Sequence, residues 1–352
     1  MDMAELLQYT IQYGASDLHL TVGQPPMLRI SGKLLPSGYD KLVPDDTKSL
    51  IYSILTDEQK AKFEEEKELD FSIGIPNVSR FRVNVFIQKG SVAAVLRTIG
   101  NKIPSAEDLG LSQSICNLAR LPRGMVLVTG PTGSGKSTTL AAMINLINDE
   151  MQHHIITIED PIEVVHPHKQ CTVNQRELGS DTHSFARALK GMMREDPDVV
   201  LVGEMRDLET IAAALTLAET GHLLFSTLHT QDAAQTVDRI IDVFPPYQQE
   251  QIRIMVSTAL KGVVSQILVP RADGQGRVAA REVMVVTPAI AAILREGKTH
   301  QIYSAIQTGG QHGMITMDQS LANLVKEGLI TPEDGMAKSS NIADFKRLAG
   351  LS

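Results

Sequence analysis

Apolar and polar residues between positions 3 and 13 follow helical spacing, predicting a short amphipathic helix that stops at Gly14. SDLHLTVG, PMLRISGKL, LDFSIGI and SRFRVNVFIQ then alternate as half-buried strands do. A helical segment at 45–66 lies among them and ends in the charged run KFEEEKE, which reads as a solvated helix face. Residues 1–98 therefore read as a small α+β domain. The Pro, Gly and polar content of IGNKIPSAEDLGLS marks 99–112 as a linker or hinge. From 113 to 286 the pattern changes to βα alternation. Its strand candidates are MVLVTG, HHIITIED, CTVNQRE, DVVLVGE and HLLFSTLHT, with helices at SFARALKGMMRE and DLETIAAALTLAETG between them. Such alternation predicts a mainly parallel sheet covered on both faces, hence an α/β fold. From 287 to 352 the chain reads as helical, with turns at Gly297, Gly309–Gly310 and Gly328.

Charge narrows the choice of partners. Thirty-three Lys and Arg against 41 Asp and Glu leave a net charge of −8, which disfavours a general nucleic-acid binder because that needs a basic footprint. Aromatic residues make up 4% of the chain and Trp is absent, leaving little for base stacking. Cys116 and Cys171 are too few for a disulfide framework and point to a reducing compartment. MDMAELLQYTIQYGASD has no basic n-region of a signal peptide. The longest apolar stretch, VMVVTPAIAAIL at 283–294, is interrupted by Pro288 and too short to span a bilayer. A soluble, cytoplasmic protein is expected.

The stretch LVTGPTGSGKSTTL carries the clearest chemistry. Gly130, Gly135, Lys136 and Ser137 fit the P-loop pattern, with Pro131, Thr132, Gly133 and Ser134 between them. An apolar strand before and an apolar-periodic helix after aim backbone N–H groups at an anion. Lys136 is expected on the β- and γ-phosphates, Ser137 on Mg²⁺, and Thr138 as a further hydroxyl of the first turn. DVVLVGEMRD resembles a Walker B strand, with Gly203 where many P-loop proteins place the metal-binding Asp. Glu204 is then the carboxylate near Mg²⁺, acting through retained water. In HHIITIEDPIE, Glu159, Asp160 and Glu163 follow an apolar strand and Pro161 turns the chain. They are the candidates to orient or deprotonate an attacking water, and Glu163 lies beyond the turn.

His222 and His229 bracket GHLLFSTLHT. Seven apart on a period-two strand, they face opposite ways and cannot share one ion, so one senses phosphate while the other packs. His166, His168 and Cys171 form H-x-H-x-x-C without a fourth ligand. Arg80 and Arg82 share one face of SRFRVNVFIQ, with Arg97 further along. Arg187, Lys190 and Arg194 fall at i, i+3 and i+7. Each basic group is either a solvated face or an arginine finger delivered to a neighbouring subunit's nucleotide.

ASDLHLTVGQPPMLRISGKL, GPTGSGKST, ITIEDPIE, VVLVGEMRD and GHLLFSTLHT occur in the order found in one family. The chain resembles, over nearly its whole length, the secretion ATPases of the type II secretion and type IV pilus systems, and among them the pilus-retraction ATPases. The resemblance implies a PAS-like domain at 1–98, a RecA-like ATPase domain at 113–286 and a hexameric ring. It implies that Glu163 is the catalytic carboxylate, that Glu204 supports Mg²⁺, and that Glu159, His222 and His229 belong to the ATP site. Arginines of the N-terminal domain, Arg82 or Arg97, would reach the nucleotide of the adjacent chain. Retraction ATPases carry a C-terminal AIRNLIRE segment. Here it reads AIAAILRE at 289–296, with Ala291 and Ala292 in place of Arg and Asn. Extension ATPases of the same systems have an additional N-terminal domain and a tetracysteine zinc motif, neither of which matches this sequence. The expected function is an Mg²⁺-dependent ATPase powering pilus retraction. It would dock on an inner-membrane platform protein from the cytoplasmic face and bind no nucleic acid. The alternatives are a pilus-assembly, secretion or DNA-uptake ATPase of the same family and, further off, a RecA-like nucleic-acid motor.

Overall fold

The computed structural model describes residues 2–75, 79–99 and 103–351. Its contacts divide into two units, Met1–Lys102 with Pro161–Val165, and Ile103–Asp160 with His166–Ser352. Of the linker read at 99–112, residues 100–102 lie outside the described residues.

The first unit begins with α1 (Met3–Gln12), whose N-terminus is capped by the Asp2 carboxylate accepting from Glu5 N–H. Met3, Leu6, Leu7 and Thr10 form its buried stripe at helical spacing. Each buried Leu of such a stripe contributes about 2 kcal/mol. Six strands follow: β1 (Asp17–Leu20), β2 (Met27–Ile30), β3 (Lys33–Pro36), β4 (Glu68–Ile75), β5 (Ser79–Gln88) and β6 (Ser91–Ile99), in the spatial order β3-β2-β1-β6-β5-β4. All pairings are antiparallel. Phe81, Val83 and Val85 of β5 turn to the core and Arg82 is exposed, as the alternation requires.

Two sequence expectations change here. PMLRISGKL is a hairpin rather than one strand, because Ser31 and Gly32 take positive φ and reverse the chain between β2 and β3. The helical segment at 45–66 is two helices, α2 (Pro44–Tyr52) and α3 (Asp57–Glu66); Thr56 begins the second with a capping box to Gln59.

The second unit holds a seven-stranded sheet. Its strands are β7 (Gly124–Thr129), β8 (His154–Glu159), β9 (Thr172–Glu177), β10 (Val199–Val202), β11 (Leu223–Leu228), β12 (Leu260–Pro270) and β13 (Arg277–Val285). They lie in the order β13-β12-β7-β11-β10-β8-β9, parallel except for the terminal β12–β13 hairpin. The strands β7, β10 and β11 are buried at every position; MVLV of β7 and VVLV of β10 read as continuous apolar runs, whereas β11 carries Ser226 and Thr227 after its apolar LLF. Connecting helices are α4 (Gln113–Ala119), α5 (Lys136–Glu150), α6 (Phe185–Met192), α7 (Leu208–Glu219), α8 (Ala233–Asp242) and α9 (Pro246–Ala259). One apolar cluster joins the sheet to α6, α7, α8 and α9, and another joins it to α4 and α5. Five further helices follow the sheet: α10 (Pro288–Arg295), α11 (Ile302–Thr308), α12 (Met317–Lys326), α13 (Pro332–Lys338) and α14 (Ile342–Ala349). The AIAAILRE segment is α10, where Ala291 and Ala292 continue the helix without interruption. The basic stripe read on 185–194 is shortened, since α6 ends at Met192 and Arg194 lies beyond its cap.

Candidate nucleotide site

Parallel pairing places the C-terminal ends of four strands along one edge. Leu127, Ser226, Val202 and Ile158 are level across β7, β11, β10 and β8, so Gly130, His229, Glu204 and Glu159 all emerge on that edge. Open α/β sheets collect ligands there.

Gly130–Gly135 forms the turn from β7 into α5. Gly130, Gly133 and Gly135 all have positive φ, and Gly135 is the left-handed N-cap of α5. At Gly130 a Cβ would run into the carbonyl oxygen of Gln266, and at Gly135 it would lie 2.9 Å from Gln266 Nε2. Only glycine meets both demands. Pro131, Thr132 and Gly133 are exposed, as are Ser137 and Thr138 on the first turn, whereas Ser134 is buried with its Oγ unpaired. Lys136 is buried, its ammonium donating to the carbonyls of Gly130 at 2.8 Å and Pro131 at 3.1 Å. A cation folded over a concave loop at a helix N-terminus is an anion receptor.

Beside it, β10 runs into Gly203 and Glu204. A Cβ at 203 would meet the Glu159 Cα at 3.3 Å, so the close approach of β8 favours glycine there. The Glu204 carboxylate receives Arg206 Nε at 2.7 Å and lies 3.5 Å from His229 Nε2. Glu159 accepts from Thr157 Oγ1 at 2.7 Å and Gln175 Nε2 at 3.1 Å.

The two histidines do not flank β11 as residues of the strand; each lies one residue outside it. His229 joins Glu204 at the loop edge. His222 sits level with the start of β7, at the opposite end of the sheet, where its ring contacts Leu217 O at 3.0 Å. Within one chain, then, His222 lies away from the phosphate loop, whereas His229 stands on the same edge of the sheet as that loop. His166, His168 and Cys171 turn to separate surroundings. His166 is buried, held neutral by burial and by Lys169 at a pKa of about 4; His168 accepts from Val173 N–H; Cys171 donates to Met151 O.

In the first unit, Arg29, Asp17, Arg97, Arg82 and Ser72 form one row across five strands. Asp17 receives Arg97 at 2.9 Å and lies 3.7 Å from Arg29. Burial raises the Asp17 carboxyl, but the Ser16 hydroxyl and Arg97 outweigh it and hold the pKa below the ordinary value. Arg82, exposed and directly opposite Arg97, has no partner among the described residues. Glu163 falls in Pro161–Val165, the segment grouped with this unit.

Sequence reading missed a polar layer beneath the loop. On β12, Ser265 Oγ lies 2.9 Å from Thr129 Oγ1, and Gln266 bonds Ser134 and Thr139 of the loop and α5. On β13, Arg281 pairs with Gln266, while Glu282 turns to α8 and accepts from Ala233 N–H at 2.9 Å. The trace of this layer in the sequence is the polar pair SQ inside the apolar run GVVSQILV.

A family model described as type II/IV secretion system protein matches residues 3–292. The chain is 53% identical over 345 residues to the type IV pilus retractation ATPase PilT of Pseudomonas aeruginosa, covering 98% of this chain and 100% of that protein. It is 52% identical over 316 residues to a twitching motility protein of Neisseria gonorrhoeae, covering 90% and 84% respectively. The crystal structure of the pilus retraction motor PilT with bound ADP matches with a TM-score of 0.92 at 50% identity, over 99% of both chains.

Proposed function

This chain belongs to the type II/IV secretion system protein family, and from that membership we propose that it hydrolyses ATP to power type IV pilus retraction. The observation that carries this reading is an intact phosphate loop in a chain collinear with PilT over nearly its full length. Its relative in the solved structure holds ADP.

Lys136 and the N–H groups of Gly133–Ser137 bind the phosphates of ATP, which displace the ammonium from its carbonyl partners. The exposed Ser137 hydroxyl and the Glu204 carboxylate form a hard-oxygen donor set of the kind Mg²⁺ selects, and they would hold that ion. Mg²⁺ supplies charge neutralisation on the phosphate oxygens when bound. His229 and Arg206 flank Glu204 and fix its carboxylate, and His229 reads the terminal phosphate from the same edge. Glu163 orients and deprotonates the attacking water.

Arg82 stabilises the charge developing on a neighbouring subunit's nucleotide. Its lack of a partner supports it over Arg97, which Asp17 already neutralises. A site completed in trans requires a closed head-to-tail ring, for which we adopt six subunits. The 99–112 linker serves as the hinge that converts closure around ATP into motion. No helix among the described residues is long and apolar enough to cross a membrane. From its likeness to the pilus-retraction ATPases we place the ring at the cytoplasmic face of the inner membrane, docked on the platform protein of the pilus machinery.

Deleting the gene tests the reading: excess pili with no twitching is expected, and loss of pili would make this an assembly ATPase. The purified chain should hydrolyse ATP as a ring, measured by turnover and assembly mass, and Lys136→Ala should be inactive.

A further inference from the structure

The Gln266 carboxamide lies beneath the phosphate loop, almost wholly buried, and the reaction as described makes no use of it. Its Nε2 donates to Ser134 O at 2.5 Å; its Oε1 accepts from Thr139 Oγ1 and from Arg281 Nε, both at 2.8 Å. These partners permit one orientation. A guanidinium only donates and a carbonyl only accepts, so the amide oxygen must face Arg281 and the NH₂ must face Ser134.

That orientation bears on phosphate binding. Across a trans peptide the carbonyl of one residue and the N–H of the next point in opposite directions. Holding the Ser134 carbonyl toward β12 therefore aims the Gly135 N–H away from the strand, toward the hollow of the loop. A peptide flipped at this position would present a carbonyl to the anion in place of a donor. Gln266 touches the loop a second time, since its own backbone oxygen limits position 130 to glycine. Arg281 is itself fixed from two sides, by Gln266 and by the Gly110 carbonyl at 3.4 Å. Among the described residues it has no carboxylate partner although it is buried, which leaves the Gln266 oxygen as its principal acceptor.

We infer that Gln266, locked in orientation by Arg281, is a positioning residue that presets the Ser134–Gly135 peptide for the nucleotide phosphates. The inference rests on the nucleotide-binding reading of the loop and adds to it the residue that sets its geometry from outside the motif.

The test measures ADP affinity by titration calorimetry alongside thermal unfolding, in the full-length chain. Gln266→Glu is nearly isosteric, places an oxygen against Ser134 O, and gives Arg281 the counter-charge it lacks. ADP affinity should fall about tenfold or more, while the unfolding midpoint stays at or above that of the wild type. A merely structural role predicts the two readouts moving together. Arg281→Met should also weaken ADP binding, and Arg281→Lys, which keeps a donor toward the Gln266 oxygen, should recover most of that loss. Should Gln266→Glu not fold, Gln266→Met takes its place, keeping the length and losing the polar contacts. Wild-type affinity in whichever variant folds overturns the inference, as does a loss of affinity that only tracks a lowered midpoint across the set. A wild-type chain that binds no ADP would sink the nucleotide reading and this inference together.

Discussion

Glu282 offers a quantitative test of the polar layer behind the loop. Its carboxyl is buried between the N-terminal ends of α8 and α12. Burial pushes its pKa up to about 7 from an ordinary 4.5; the N–H groups of Ala233 and Met317 oppose the rise, and Asp232 and Asp318 reinforce it. Between those two values the folded chain keeps a proton that the unfolded chain has released. Stability is therefore fully present below the lower value and is lost as pH rises through the upper one. The difference of about 2.5 units corresponds to about 3 kcal/mol by pH 8. Glu282→Gln stays neutral at every pH and retains the oxygen that accepts from Ala233. Denaturant unfolding of both proteins at several pH values between about 4 and 8 cancels the contributions of all other groups. The variant should match the wild type at the acid end and exceed it by about 3 kcal/mol at the alkaline end. A stability difference that does not change with pH across that range would refute the assignment of a buried, proton-holding carboxyl to Glu282.

Other consequences are open to direct measurement. Gly130→Ala drives a methyl group into the Gln266 carbonyl at a positive φ; nucleotide binding should disappear and stability fall by about 2 kcal/mol or more, as titration and unfolding would show. Glu163→Gln should cut ATP turnover about 100-fold with ADP affinity retained, and normal turnover would remove Glu163 from the proposed role. Chains carrying Lys136→Ala, mixed with chains carrying Arg82→Ala, should regain part of the hydrolysis each lacks alone. Absence of any recovery would count against an arginine acting in trans.

The strand before the phosphate loop and the strand before Glu204 were legible because each is a continuous apolar run ending in polar residues, a pattern that fully buried parallel strands produce locally, and the strand before His229 starts the same way with LLF. The strand β6 was not legible: SVAAVLRTI lacks the alternation by which its neighbour β5 declares itself, because most of its positions are buried. The β12–β13 hairpin escaped notice as well. Gln266 lies 132 residues from Ser134, and nothing local in either segment says that their strands are neighbours. Strand direction, not composition, separated the histidines, sending His222 to the far end of the sheet. The two arginines, equivalent as letters, became distinct only through the register that sets Asp17 opposite Arg97. The hairpin in PMLRISGKL was hidden by a serine taking a positive φ usually left to glycine.

Arg281 and Glu282 are consecutive residues of one strand, so the pleat sends a cation to one face of the sheet and an acid to the other. A slip of β13 by a single residue would turn each to the other face, the guanidinium toward the side of the electropositive start of α8 and the carboxylate toward the side of the Gln266 amide. A buried cation on one face and a buried proton-holding acid on the other thus key the edge hairpin to one alignment. The floor under the phosphate loop is consequently indexed to the sheet, and cannot creep along it when the molecule is loaded.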